Sequence, residues 1–167
     1  MDLYKLIKIE NLSGSACTIY SIISAENELK TSLDQFIEEN INSFKSETKQ
    51  LISRLHTIGH KTGARIQYFK TEEGKPGDGV CALYDTEESN LRLYCIRYDK
   101  HLIIAGGGGF KPKNIRALQE DDKLKKENYF LRELSAIITT RIKEKDIRYS
   151  DDGMEFIGDM DFNKDDF

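Results

Sequence analysis

Several common signatures are missing from this 167-residue chain. No apolar run approaches the ~20 residues that a membrane-crossing helix needs. The first ten residues, MDLYKLIKIE, have neither the long apolar stretch nor the small-residue cleavage site of a secretory leader. The 3 cysteines, Cys17, Cys81 and Cys95, cannot all pair within one chain and form no C-x-x-C motif, so the expected setting is reduced and cytoplasmic. No internal repeat is present. Four glycines, Gly106–Gly109, are followed by neither G-K-[ST] nor the G-x-G-x-x-G pattern, which excludes a P-loop and a dinucleotide fingerprint. His56 and His60 stand four apart without the Glu of a metalloprotease motif or a third ligand, so no metal site and no cofactor are expected.

Charge is present in quantity and unevenly distributed. Charged residues make up 32% of the chain and apolar ones 38%, for a net charge of −4. Between Ser150 and the end, seven acidic side chains face Lys164 alone, a local charge of −6, which leaves +2 on residues 1–149. Between Ser89 and Arg116, six basic residues face Asp99 alone, a local charge of +5. An acidic average with this distribution is compatible with a polyanionic partner. The acidic end is either a solubilising disordered segment or a tail that folds over the basic region in imitation of nucleic acid.

Residue patterns predict one α+β domain over 1–149, followed by the acidic tail 150–167. Residues 3–9 and 16–23 read as strands. Ser32 with Gln35 suggests a capping box, ahead of Leu33, Phe36, Ile37, Ile41 and Phe44 at helical spacing. A second helix carries Leu51, Ile52, Leu55 and Ile58, and the two form a helical hairpin that needs a sheet to cover its apolar stripes. Strands follow at 65–69, 80–84, 91–98 and 101–105, with a Gly- and Pro-rich turn at 73–79. Leu124, Leu131, Leu134, Ile138 and Ile142 mark a long final helix over about 123–145.

A turn at Asp99-Lys100 sets Tyr98 opposite His101. Alternation then gives one apolar face (Leu91, Leu93, Cys95, Arg97, Leu102 and Ile104), assigned to the helices. The other face, with Arg92, Tyr94, Ile96, Tyr98, His101, Ile103 and Ala105, is expected to be partly open. Arg92 and His101 lie about 20 Å apart at ~3.3 Å per residue, too far to serve one reacting atom. Arg92 and Tyr94 instead lie near the exit into Gly106–Lys113, where Lys111, Lys113 and Arg116 can join them around a phosphate, with the glycines admitting backbone N–H groups. The alternative is a solvated Arg92, ordinary loop lysines and a glycine-shaped turn.

Asn90–Ala117 resembles the RelE/ParE superfamily of bacterial toxin–antitoxin toxins, in particular its HigB-like, phage-derived branch. The resemblance covers about residues 30–120. Arg92 matches the family arginine at the start of a strand, and Gly109, Phe110, Lys111 and Lys113 match its Gly-Phe-Lys loop. Cys81–Tyr84 has no counterpart of the arginine the family often carries on the preceding strand, and Cys95 stands at the second aromatic position of the arginine motif. The expected fold is α+β, an antiparallel sheet with a helical hairpin packed on one face and a long C-terminal helix. The length of that helix and the acidic tail exceed the usual compact toxin of the family. The resemblance also implies a metal-independent mRNA endoribonuclease neutralised by a cognate antitoxin and acting on RNA or the ribosome. Arg92, Lys111 and Lys113 would be the catalytic cations, and Tyr94, Phe110 and Arg116 the RNA-binding residues. A non-catalytic binding module on the same fold, gyrase-inhibitor-like or an inactive toxin relative, is the competing expectation, because the second arginine is missing and no general base is evident.

Overall fold

The computed structural model describes residues 3–71, 73–84, 86, 89–111 and 122–167, with Lys164 described by its backbone alone. Its architecture is mixed α+β. The strands are β1 (Leu3–Lys8), β2 (Thr18–Ser24), β3 (Asn27–Thr31), β4 (Phe69–Lys70), β5 (Val80–Leu83), β6 (Leu91–Asp99), β7 (Leu102–Phe110), β8 (Ile147–Tyr149), β9 (Phe156–Gly158) and β10 (Asp161–Asn163). The helices are α1 (Ser32–Asn40), α2 (Lys45–Thr57) and α3 (Asp122–Lys143). The main sheet runs β10-β1-β2-β7-β6-β5-β4, with β3 added to β2. Every pairing is antiparallel except β2 with β7, which are parallel from Thr18↔Leu102 to Ser21↔Ala105. None of these helices is long and apolar enough to cross a membrane.

Core side chains cover both faces of the sheet. Leu33 and Phe36 of α1 and Leu51 and Leu55 of α2 pack with Leu91, Leu93, Cys95, Ile103 and Ala105 on one face. Leu124, Leu131, Leu134 and Ile138 of α3 pack with Tyr94, Ile96, Leu102 and Ile104 on the other. The face expected to be partly open is therefore closed by α3. This burial on two sides is why Tyr94, Ile96, Leu102 and Ile104 are as buried as Leu91, Leu93, Cys95 and Ile103.

The β6–β7 register differs from the sequence expectation by one residue. The turn is Lys100–His101, with Asp99 opposite Leu102, Arg97 opposite Ile103 and Cys95 opposite Ala105. A slip of one residue exchanges the two faces of a strand, so Ile103 and Ala105 join Cys95 while Leu102 and Ile104 join Ile96. Neighbouring chain, not local turn chemistry, fixes this turn. Ala64 N–H donates to the Lys100 carbonyl at 2.7 Å, and Thr18 N–H donates to the His101 carbonyl at 2.9 Å.

Other boundaries also moved. The capping box of α1 is formed by Thr31 and Asp34, one residue before the expected pair. Gly106–Gly109 are not a loop, because β7 continues through them to Phe110. Between Cys95↔Ala105 and Leu93↔Gly108, β7 carries one residue more than β6, so a bulge falls within the glycine run. A Cβ on Gly106 would meet Leu131 at 2.8 Å, and one on Gly108 would meet the Arg92 carbonyl oxygen at 2.0 Å. The glycines thus admit α3 and the β6 backbone at close range.

Residues 147–167 are folded onto the rest of the chain. β8 and β9 form a hairpin, and β10 pairs with β1 at Leu3↔Asn163, Tyr4↔Phe162 and Lys5↔Asp161. Phe156 and Phe162 are buried with the α3 side chains. The Tyr20 hydroxyl accepts from Phe156 N–H at 3.1 Å. Arg141 lies 4.3 Å from the Phe162 ring centroid and donates to the carbonyls of Asp159 and Asp161.

Two measurements check this packing. In urea unfolding, Gly108→Ala is expected to be the most damaging substitution within Gly106–Gly109. Gly106→Ala should cost about 1–3 kcal/mol through displacement of Leu131. Gly109→Ala should be tolerated, since a Cβ there meets nothing closer than 3.6 Å. Phe162→Ala should cost about 3–5 kcal/mol, whereas unchanged stability would mean that the acidic segment does not belong to the fold.

Candidate nucleic-acid interface

The end of the sheet where β6 begins and β7 finishes gathers most of the described candidate residues. Arg92, the second residue of β6, is only 6% exposed. Its Nη1 donates to the Ser89 carbonyl at 2.9 Å, to Ser89 Oγ at 3.1 Å and to the Leu91 carbonyl at 2.9 Å. The guanidinium carbon lies 5.7 Å from the Tyr84 ring centroid. These contacts turn Arg92 inward, where it ties down the approach to β6. Its expected role beside a substrate phosphate is corrected for Nη1, which is held by Ser89 and Leu91, while Nε is buried without a hydrogen-bond partner.

Tyr94 is 0% exposed and packs in the α3 core, so its expected stacking on an RNA base is corrected too. The cause is the coverage of this face by α3. Lys113 and Arg116 lie outside the described residues.

Phe110 and Lys111 do come to the surface together. Phe110 is 42% exposed and stacks on Phe44, with centroids 5.1 Å apart and ring planes 19° from parallel. Lys111 N–H donates to the Asn90 carbonyl at 2.7 Å, which fixes where its side chain leaves the sheet. Glu47, in the first turn of α2, accepts from Asn90 N–H at 3.0 Å, Asn90 Nδ2 at 3.1 Å and Leu91 N–H at 3.0 Å. That carboxylate holds the start of β6 against the helix that begins beside Phe44. Lys45, next in the chain, is exposed.

Sequence reasoning missed Phe44 and Glu47. Phe44 fell on the apolar stripe of the first expected helix, but the helix ends at Asn40 and Phe44 is instead the N-cap residue of α2. Glu47 had only a helix position to mark it, because its partners lie 43 and 44 residues away.

A part-exposed aromatic pair with Lys45 and Lys111 next to it in the chain is chemistry suited to a nucleobase and its phosphates. Other reactive groups are placed differently. All three cysteines are buried, and desolvation pushes the thiols of Cys17 and Cys81 up to about 12 and that of Cys95 well above its ordinary value. Their thiolate forms are thereby suppressed. The His56 and His60 rings lie 4.2 Å apart, and His60 Nε2 is 3.2 Å from the Asn11 carbonyl oxygen. Among the described residues, no group of three or more His, Cys, Asp or Glu could hold a metal ion.

Arg92→Ala should lower unfolding stability by about 2–4 kcal/mol, because it removes charge-assisted hydrogen bonds from buried carbonyls. Urea denaturation checks this, and an unchanged midpoint would return Arg92 to the list of surface-acting residues. Comparison with protein-family models, curated proteins and solved structures finds no match.

Proposed function

We propose that this chain is an RNA-binding module on a RelE/HigB-like toxin scaffold, a non-catalytic relative of the ribonuclease toxins, acting in the cytoplasm with a cognate antitoxin. The observation that carries this reading is the half-exposed Phe110 stacked on Phe44 beside Lys111, while Arg92 is spent on internal carbonyls. Base stacking is sequence-tolerant, and lysines supply phosphate attraction, so together they give affinity without a reaction. The scaffold part of the proposal draws support from two helices meeting one face of a largely antiparallel sheet and a helix after it, although three strands precede α1 and β2 pairs parallel with β7. RNA, free or ribosomal, is the partner class.

The endoribonuclease version of this function would place its cations on Lys111 and Lys113 and needs a proton acceptor beside them. Glu47 is a poor candidate for that task, since its oxygens already accept from Asn90 and Leu91.

Fluorescence anisotropy with single-stranded RNA across a salt series tests the proposal. Phe110→Ala should weaken binding by about tenfold, in line with the ~1–3 kcal/mol of one base–aromatic stack. Lys111→Ala should reduce the salt slope by about one. Undetectable binding, or binding indifferent to both substitutions, rejects the RNA reading. Cleavage of the RNA in the presence of EDTA, lost in Lys111→Ala, replaces the binder with the ribonuclease.

A further inference from the structure

A cavity of about 450 Å³ lies between the first turn of α1, the ends of β1 and β2, and one side of α3. It exists because β2 stops pairing with β7 at Ser21↔Ala105, which leaves the glycine half of β7 flanked by helices. Tyr4 and Phe130 give the cavity an aromatic wall and meet edge to face at 5.1 Å, with Phe167 stacked against Phe130 at 5.1 Å. Glu127 and Glu133 of α3 add two carboxylates, and Ser32 and Gln35 of α1 add neutral polar groups.

Glu127 is the unusual group. Its side chain is 30% exposed, and its carboxylate fills the space left by the missing side chain of Gly107, where a Cβ would come within 2.5 Å of Oε2. The cation paired with it is Lys123 at 3.8 Å, yet that ammonium lies closer to Glu39, at 3.3 Å. One ammonium therefore serves two carboxylates. Burial, reinforced by the charge of Glu39, raises the pKa of Glu127 above the ordinary carboxylate value despite the opposing pull of Lys123 and Lys126. Of the two lysines that border the cavity, Lys30 is paired with Glu38, and Lys126 is solvent-exposed and offsets the burial of Glu127 only in part.

A partly desolvated carboxylate whose nearest ammonium is shared with a second acid, in a cavity walled by electron-rich rings, favours an organic ammonium ion. We propose that this cavity binds a linear aliphatic diamine, one ammonium against Glu127 beside the Tyr4–Phe130 wall and the other toward Glu133. The two acids are six residues apart on α3, about 9 Å along the helix axis and about 120° around it, so roughly 11 Å between their Cβ positions, which a chain of roughly four or five methylenes spans with a hydrogen bond at each end. This proposal does not depend on RNA binding.

The test titrates the full chain with 1,4-diaminobutane, by calorimetry and amide-resolved NMR, beside butylamine and beside sodium chloride at matched ionic strength. Saturable diamine binding is expected, tighter than butylamine, with shifts centred on Glu127–Glu133, Ser32–Gln35 and Tyr4. Glu127→Gln keeps the shape against Gly107 and should weaken binding about tenfold or more, the effect of removing one charge-assisted contact. Glu133→Gln should weaken the diamine but not butylamine. Circular dichroism and urea midpoints confirm that both variants are folded. Shifts that match those of sodium chloride, equal affinity for diamine and monoamine, or full affinity in folded Glu127→Gln would each overturn the proposal.

Discussion

The hydroxyl of Ser21 joins three elements at one buried point. It donates to the Ala105 carbonyl at 2.7 Å and accepts from Leu33 N–H at 3.1 Å. Those two bonds tie β2 to β7 and set the first turn of α1 where the parallel pairing ends. A hydroxyl that both donates and accepts can satisfy a strand carbonyl and a helix N–H together, which no apolar residue of its size can do. Beyond this point β7 has β6 on one side only, and α1 and α3 must come close enough to seal the rest. The glycines make that approach possible, and the bulge among them absorbs the mismatch between β6 and β7.

Because core packing covers both faces of the sheet, exposed side chains and cavities are left to its ends and to the gaps between layers. The Phe44–Phe110 pair lies at one such end, where Glu47 and Asn90 fasten β6 to α2. The amine-sized cavity lies in one such gap, where β2 parts from β7. A one-layer sheet with an open face would have used strand side chains such as Arg92 and Tyr94 for recognition. Here the same side chains hold the molecule together.

What could be read from the sequence follows the range of the forces involved. The apolar stripe of α3, the alternation along β6 and the mixed α+β character depend on residues close together in the chain, and they were legible. The capping box of α1 was misplaced by one residue because Thr31–Asp34 and Ser32–Gln35 satisfy nearly the same pattern. The β6–β7 turn was misplaced because Gly63–Ala64 and Thr18, far off in sequence, decide which residues turn. The positive charge of Arg92 suggested exposure, but Ser89 and Leu91 supply it with carbonyls inside the fold. Phe44 shows the reverse: an apolar residue counted toward the core stands half out of it, stacked on Phe110.

The pairing of β10 with β1 has a consequence for how the chain is made. Leu3–Lys5 meet Asp161–Asn163, partners separated by nearly the whole length described. At about 5–20 residues per second, the ribosome leaves that flank of β1 without its neighbour for on the order of ten seconds. During that interval the nascent chain presents an unsealed strand margin, the kind of surface on which aggregation begins. Tyr4 sits on this margin, and Lys5 and Lys8 flank it with positive charge, later matched by Asp161 and Glu155. Those lysines act as a temporary guard in the growing chain, and a product cut short before residue 161 keeps only the guard.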